Sequence, residues 1–323
     1  MKLQTQIPLQ KQSNNLIDYN SNILLLGSCF VENIGGKLSY FKFQNSQNPF
    51  GILFQPKAIE SLISNAINQK EYSETDIFFQ NEQWHCFEAH SKLSASSKKE
   101  LLNELNDQIK LTKKQIHEST HIIITLGTAW VYRFLESNQL VANCHKVPQK
   151  QFTKELLSVE TITESLKIII NSIRSINTKT SIIFTVSPVR HIKDGFVENM
   201  QSKAHLISAI HQIINQNLSN GNSQLVYFPS FEIMMDELRD YRFYAEDMLH
   251  PNNLAINYIW EKFIEVWVSN KASKTMKVVD EVQKGIQHKA FNPNSEAHQK
   301  FLSGIEEKLV QLQKEYPYMK FQS

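Results

Sequence analysis

Ile23-Leu24-Leu25-Leu26-Gly27-Ser28-Cys29-Phe30 is the stretch whose reading decides the fold. Its apolar run is the length of a buried strand. Gly27 breaks the run, and Val31, Ile34 and Leu38 then recur at helical spacing, with Phe41 beyond. Strand, tight turn and helix in succession are how an α/β enzyme presents a nucleophile. The turn pushes a small side chain out at the C-terminal edge of the sheet, and the free N–H groups of the helix point at the same spot. Ser28 and Cys29 are the two candidates. Taken alone, the stretch reads more simply as an ordinary strand-to-helix turn with a buried cysteine.

Outward from it, further apolar runs at 121–126, 181–186 and 224–228 alternate with helical patterns, the sign of a mostly parallel α/β sheet with helices on both faces. The intervening helices are expected at 56–67, from a Ser96/Ser97 cap to about His117, at 198–218 and at 253–268. Asn48-Pro49-Phe50-Gly51 is a turn by composition. Residues 77–90 suit a hairpin or lid, and Trp130 to Leu135 with Gln139 to Ala142 suit a hairpin turned at Ser137-Asn138. Thr153 is expected to open a long helical region ending near Ile176. Residues 1–22 are polar and read as a strand or arm that wraps the domain. Beyond 270 the chain is charged and helical, split at Phe291-Asn292-Pro293-Asn294. The expected organisation is a catalytic α/β domain over 1–270 and a helical extension over 271–323, packed on the core.

The chain has 323 residues, 41% hydrophobic and 20% charged, enough for a full core. Its 34 basic and 32 acidic residues are interspersed and leave a net charge of +2, so no basic stripe argues for nucleic acid. Met1 to Leu16 carries no signal-peptide core, and no apolar run approaches the ~20 residues of a membrane helix. Three widely spaced cysteines, Cys29, Cys86 and Cys144, do not make a disulfide framework. The expectation is a soluble, cytoplasmic protein.

A second stretch raises the odds for chemistry. In Asp247-x-x-His250 the spacing lets a carboxylate accept a hydrogen bond from a histidine that faces a nucleophile. The carboxylate fixes the tautomer and stabilises the imidazolium, while the histidine takes the proton. The pair follows the last expected strand, and Pro251 stands where a helix would start.

Gly27-Ser28-Cys29-Phe30 resembles the signature of the GSCFA family, with Val31 where that signature has Ala. Asn48 to Gly51, Ala129-Trp130-Val131-Tyr132, Asn143-Cys144-His145-Lys146, Ser187-Pro188-Val189-Arg190-His191, Tyr241 to Tyr244 and Asp247 to Pro251 carry the resemblance on, over about residues 20–270. The family is similar to the SGNH/GDSL hydrolases. That kinship implies a three-layer α/β/α sandwich with a flavodoxin-like, mostly parallel sheet, and hydrolysis or transfer of acyl esters without a cofactor.

Two departures from the SGNH pattern matter. The first block there reads Gly-Asp-Ser, and its third residue attacks. Register sets Cys29 on that position and Ser28 on the Asp, which nominates Cys29. A helix N-terminus and a nearby histidine are expected to lower its pKa. Ser28 is the conservative choice for oxygen esters, so both stay candidates. The third block supplies an oxyanion-donating Asn, and here Gly127-Thr128-Ala129-Trp130 has an alanine at that place. Asn143 is a replacement, and the backbone N–H groups of Cys29 and Gly51 are further donors.

Other readings are plainer. His145 beside Cys144 suits substrate lining better than a base or ligand role. His85-Cys86 with Cys144-His145 lacks the gaps a tetrahedral zinc site needs, so no metal is expected. Arg190 suits a substrate carboxylate or phosphate as well as it suits a structural ion pair. Trp130, with Asn48 and its turn, is assigned to substrate binding. The expected function is SGNH-like hydrolysis of a small-molecule or glycan acyl ester or thioester by a Cys/Ser–His–Asp triad. The alternatives are an acyltransferase and a non-catalytic ligand- or carbohydrate-binding module on the same fold. Oligomeric state is not legible.

Overall fold

The computed structural model describes residues 5–219 and 224–321. Its elements in order are β1 (Asn22–Gly27), α1 (Cys29–Tyr40), β2 (Gln44–Gln47), α2 (Pro56–Ile67), β3 (Phe78–Gln80), β4 (Gln83–His85), α3 (Lys98–Glu118), β5 (His121–Leu126), β6 (Trp130–Phe134), β7 (Gln139–Val141), β8 (Phe152–Leu156), α4 (Val159–Ile176), β9 (Ser181–Val186), α5 (Phe196–Ser219), β10 (Leu225–Phe228), the single turn α6 (Ser230–Glu232), α7 (Asn253–Trp267), α8 (Asn270–Gln287) and α9 (Glu296–Glu315).

Five strands form one wholly parallel sheet in the order β2-β1-β5-β9-β10. In chain order of those five this is the 2-1-3-4-5 arrangement of flavodoxin-like sheets. The order reverses between β1 and β5, and that switch point is where such sheets bind ligands, outside the carboxyl ends of the strands.

Alternation along each strand separates two cores. Leu24, Leu26, Ile122, Ile124, Ile182 and Phe184 point to the face covered by α2, α3, α4 and α5. Ile23, Leu25, Ile123 and Ile183 point to the other face, under α1, α7 and α8. Every residue of β5 and β9 is buried, as expected of central strands in a sheet covered on both sides.

One segment departs from its helical reading. Residues 152–156 form β8, antiparallel to β6, and the helix starts only at Val159, capped by Ser158. Lys154, Glu155 and Leu156 favour helix while Phe152 and Thr153 favour strand, so local propensity is divided. Pairing with β6, whose Arg133 holds the Glu155 carboxylate, decides the segment.

The arm leaves few regular bonds of its own and is held by others. Gln12 N–H and Ile17 N–H donate to Val266 O and Trp267 O, and Ile17 bridges Val268. The tail helices pack on the α1/α7 face: Met276, Val279 and Val282 are buried, the Tyr40 hydroxyl donates to Asp280, and the Tyr318 hydroxyl to Tyr19 O at 2.6 Å. The buried stripe of α8 runs through 276, 279 and 282, with Val278 and Ile286 only partly covered, and Phe301 on α9 is 40% exposed. Among the described residues no helix is long and apolar enough to cross a membrane.

Candidate active site

The turn after β1 is locked by backbone geometry. Gly27 has φ +135°, and a Cβ there would lie 2.1 Å from Thr125 O of β5. Only glycine fits this approach. Gly27 N–H donates to the Asn48 side-chain oxygen at 2.9 Å, and Ser28 N–H to Thr125 O at 3.0 Å. Ser28 is then the N-cap of α1: its hydroxyl accepts from Phe30 N–H at 3.3 Å and the residue is 1% exposed. The hydroxyl is thus committed to the helix end. Cys29, the first helical residue, is partly exposed. Burial, then the Glu32 carboxylate, push its thiol above the usual cysteine range. Lys203 and the N–H groups of Cys29 and Phe30 pull the other way and do not prevail, which corrects the expectation of a lowered pKa.

The second stretch forms a closed loop at the same edge of the sheet. Ala245 N–H donates to His250 O, Tyr244 bridges Pro251, and Arg190 N–H, just past β9, reaches Leu249 O. Met248 turns the loop at φ +60°. The Asp247 carboxylate accepts from Leu249 N–H at 2.9 Å and His250 N–H at 3.0 Å through one oxygen, and from His250 Nδ1 at 2.5 Å through the other. These bonds, led by the two backbone ones, hold its pKa down at about 2. With Nδ1–H given to a carboxylate, His250 is in the tautomer whose Nε2 accepts a proton.

His250 opens on a cleft of about 360 Å³ at this edge, walled by Phe54, Trp130, Tyr132, Arg190, His191 and Leu249 among others. Trp130 lies under the Lys154 ammonium, 4.5 Å from its ring centroid, and Lys154 pairs with Asp194. Arg190 donates to the Tyr244 hydroxyl at 2.9 Å and stacks on that ring. Among described residues it makes no carboxylate pair. His191 stacks on Phe54, and its Nε2 is buried without a partner among the described residues. Burial, then Lys203 and His250, press its pKa down to about 3, so it is a neutral imidazole.

The cleft thus gathers Trp130, Arg190 and His250, with Asp247 behind. Ser28 and Cys29 are not among its lining residues; they stand at the end of β1, beside the strand whose continuation forms the cleft wall. Asn48 lies with them: its oxygen is taken by Gly27 N–H, and its Nδ2 is buried with no partner among the described residues. Gly51 turns at φ +73°, and its N–H donates to Asn48 O at 2.7 Å, so it is not a free oxyanion donor. Asn143 and His145 sit elsewhere. The Asn143 oxygen accepts from His145 N–H, and His145 Nε2 faces Cys86 O at 2.8 Å and Ala89 O at 3.1 Å. This buried imidazole, pressed to about 4 by burial, ties its turn to residues 86–89 and packs on Phe78 and His85 rather than on substrate space.

One buried side chain has no place in the sequence reading. Lys203 on α5 is 1% exposed, and its ammonium donates to Gly127 O at 2.7 Å and Ser187 O at 2.8 Å, the ends of β5 and β9. Its neighbour Ser202 takes Ala129 N–H at 2.7 Å and meets the Thr128 hydroxyl at 2.9 Å. A signal was available: Lys203 falls on the stripe of Asn199, Leu206, Ile210 and Ile213 that α5 buries, where a lysine is out of character.

Compared with known proteins, residues 22–263 match the model of the GSCFA family, and residues 279–323 match that of the GSCFA domain protein, C-terminal domain. No curated protein matches the sequence. Among solved structures the chain is similar to an acetyl xylan esterase (Est2A) from the rumen bacterium Butyrivibrio proteoclasticus, at 9% identity and a TM-score of 0.33, covering 84% of this chain and 66% of that one. The chain thus spans just under two thirds of that esterase.

Proposed function

This chain belongs to the GSCFA family, and on that premise we propose that it hydrolyses acyl esters or thioesters, with Cys29 as nucleophile and the Asp247–His250 pair as its base. The observation that carries the reading is the 2.5 Å contact between Asp247 and His250 Nδ1 at the mouth of the cleft, on the sheet edge where β1 ends in Gly27-Ser28-Cys29.

Burial and Glu32 push the Cys29 thiol up, so the reaction needs a base. His250 Nε2 takes the thiol proton as sulfur attacks the acyl carbonyl. The oxyanion that forms is met by Cys29 N–H and by the spare Nδ2 of Asn48, which stands in for the side chain that Ala129 lacks. Collapse of this intermediate expels the alcohol or thiol, protonated by the imidazolium, and leaves an acyl thioester on Cys29. Water, deprotonated by His250, then releases the carboxylic acid and restores the thiol. Ser28 is the weaker choice because its hydroxyl caps α1. Trp130 and Phe54 suit the flat or apolar part of a substrate, and Arg190 an anionic or carbonyl group. A non-catalytic binding module remains the rival, favoured by Ala129.

Turnover of a panel of aryl acyl esters and thioesters, from acetyl to octanoyl, tests this. Wild type should hydrolyse at least one, while Cys29→Ala and His250→Ala should lose about 10²-fold or more. A Cys29→Ala protein of near-full activity would sink the assignment.

A further inference from the structure

Buried polar atoms without partners are few in a folded chain, and one beside a cleft calls for an explanation. His191 supplies one. Its ring stacks on Phe54, with centroids 5.5 Å apart and planes at 22°, and its backbone N–H donates to the Asn199 side-chain oxygen at 2.9 Å. Nε2 is enclosed, 3.2 Å from where a Cβ on Gly127 would stand, and no polar group among the described residues bonds to it. A Cβ at 127 would also lie 2.9 Å from Phe54 Cβ, so glycine there is what lets the stacked pair close over the end of β5. The other polar side chain on this glycine is a donor: Lys203 Nζ gives a hydrogen bond to Gly127 O at 2.7 Å.

A neutral imidazole carries one proton, on one of its two nitrogens. On Nε2 it would make an enclosed N–H with no acceptor. On Nδ1 it leaves only a lone pair enclosed. Nδ1 makes no hydrogen bond among the described residues and, unlike Nε2, is not enclosed. The residue lines the cleft together with Trp130, Arg190 and His250. Burial keeps the ring neutral, so it offers an N–H without setting a second cation beside the imidazolium that His250 becomes.

We infer that His191 is a further catalytic residue of this site, its Nδ1–H donating to the carbonyl oxygen of the acyl group bound in the cleft. The inference rests on acyl esters or thioesters being the substrates, as in the proposed function. Gly127 lies two residues beyond Thr125, the partner of Gly27, so the histidine stands over the strand end next to the turn that carries Cys29. Ala129, further along the same segment, has no side-chain donor, and His191 brings one there from the end of the neighbouring strand, β9. Held by the stack and by Asn199, the donor needs no reorganisation as charge develops on the oxygen.

Two measurements test it. In steady-state kinetics His191→Phe, which keeps a ring on Phe54 but loses the N–H, should lower kcat about 10²-fold with KM within about threefold of wild type. His191→Asn, whose amide nitrogen can take the place of Nδ1, should recover at least tenfold of that loss. A kcat within threefold of wild type in a folded His191→Phe protein, or an Asn variant no faster than the Phe variant, would overturn the inference. The second measurement needs neither turnover nor a variant. NMR of histidine-labelled wild type should show His191 as the Nδ1–H tautomer at pH 7, and saturating octanoate, a product carboxylate, should shift that N–H signal. An Nε2–H tautomer, or a signal that octanoate leaves in place, would overturn the inference, including where His191→Phe does not fold. Wild type that turns over no ester or thioester would refute the proposed function instead, and the tautomer and its response to octanoate would still decide for or against the His191 donor.

Discussion

Asp247 Oδ2 lies 2.5 Å from His250 Nδ1, and the same carboxylate ties down two backbone N–H groups of the loop that carries the histidine. The side chains are about half exposed, 46% and 49%, so loop geometry rather than burial orients the imidazole.

Asp247→Asn should keep part of the backbone bonding but let Nδ1 of His250 become an acceptor, the wrong tautomer for a base. We expect kcat/KM to fall by about 10²–10⁴-fold with the fold intact by circular dichroism. A loss below threefold would remove Asp247 from the mechanism.

The pH dependence has a definite sign. The Asp247 pKa is about 2 in the folded chain and ordinary in the unfolded one, so its stabilising contribution is complete above about pH 4 and is lost as pH falls from there towards 2. Acid melts of wild type and Asp247→Ala should therefore draw together below pH 4 and converge only at about pH 2 and below. Any acid limb of activity above pH 5 should survive in Asp247→Glu, since it belongs to another group.

Ser28→Ala removes the cap of α1 and should cost about 1 kcal/mol, seen as a lower urea midpoint, with turnover at 25 °C reduced less than tenfold. Complete loss of turnover in a folded Ser28→Ala protein would make Ser28 the nucleophile.

Gly27→Ala should destabilise the chain by about 3 kcal/mol or more, since its Cβ would meet backbone of β5 and the residue would keep a left-handed φ. A Tm within 2 °C of wild type would contradict the close β1–β5 approach.

The tail is expected to contribute stability and no catalytic group. Met276→Ala, in the buried stripe of α8, should cost about 2–4 kcal/mol. Truncation after Ser269 should lower Tm while the folded fraction keeps its activity per molecule at low temperature. A folded truncation product without activity would place part of the site in the tail.

Local pattern determined much of this protein. The apolar runs at 23–26, 121–126 and 181–186 are buried strands because the central strands of a sheet covered on both faces have no exposed side to signal with polar residues. The Gly27 turn, the α1 periodicity and the Asp247-x-x-His250 contact were equally legible, since each is made within a few residues. Residues 152–156 were not, because their partner strand lies some twenty residues back and Lys154, Glu155 and Leu156 locally favour the helix that this pairing overrides. Tertiary structure alone decided which polar groups are already spent. Ser28 caps a helix, the Gly51 N–H closes a turn, and His145 bonds carbonyls near residue 86, over contacts the sequence does not announce. It also decided that burial and Glu32 push the Cys29 thiol up against the pull of the helix end, and that Lys203 is buried on the Gly127 and Ser187 carbonyls. Burial and charge sum over every element packed around a group, and only the folded chain brings those elements together.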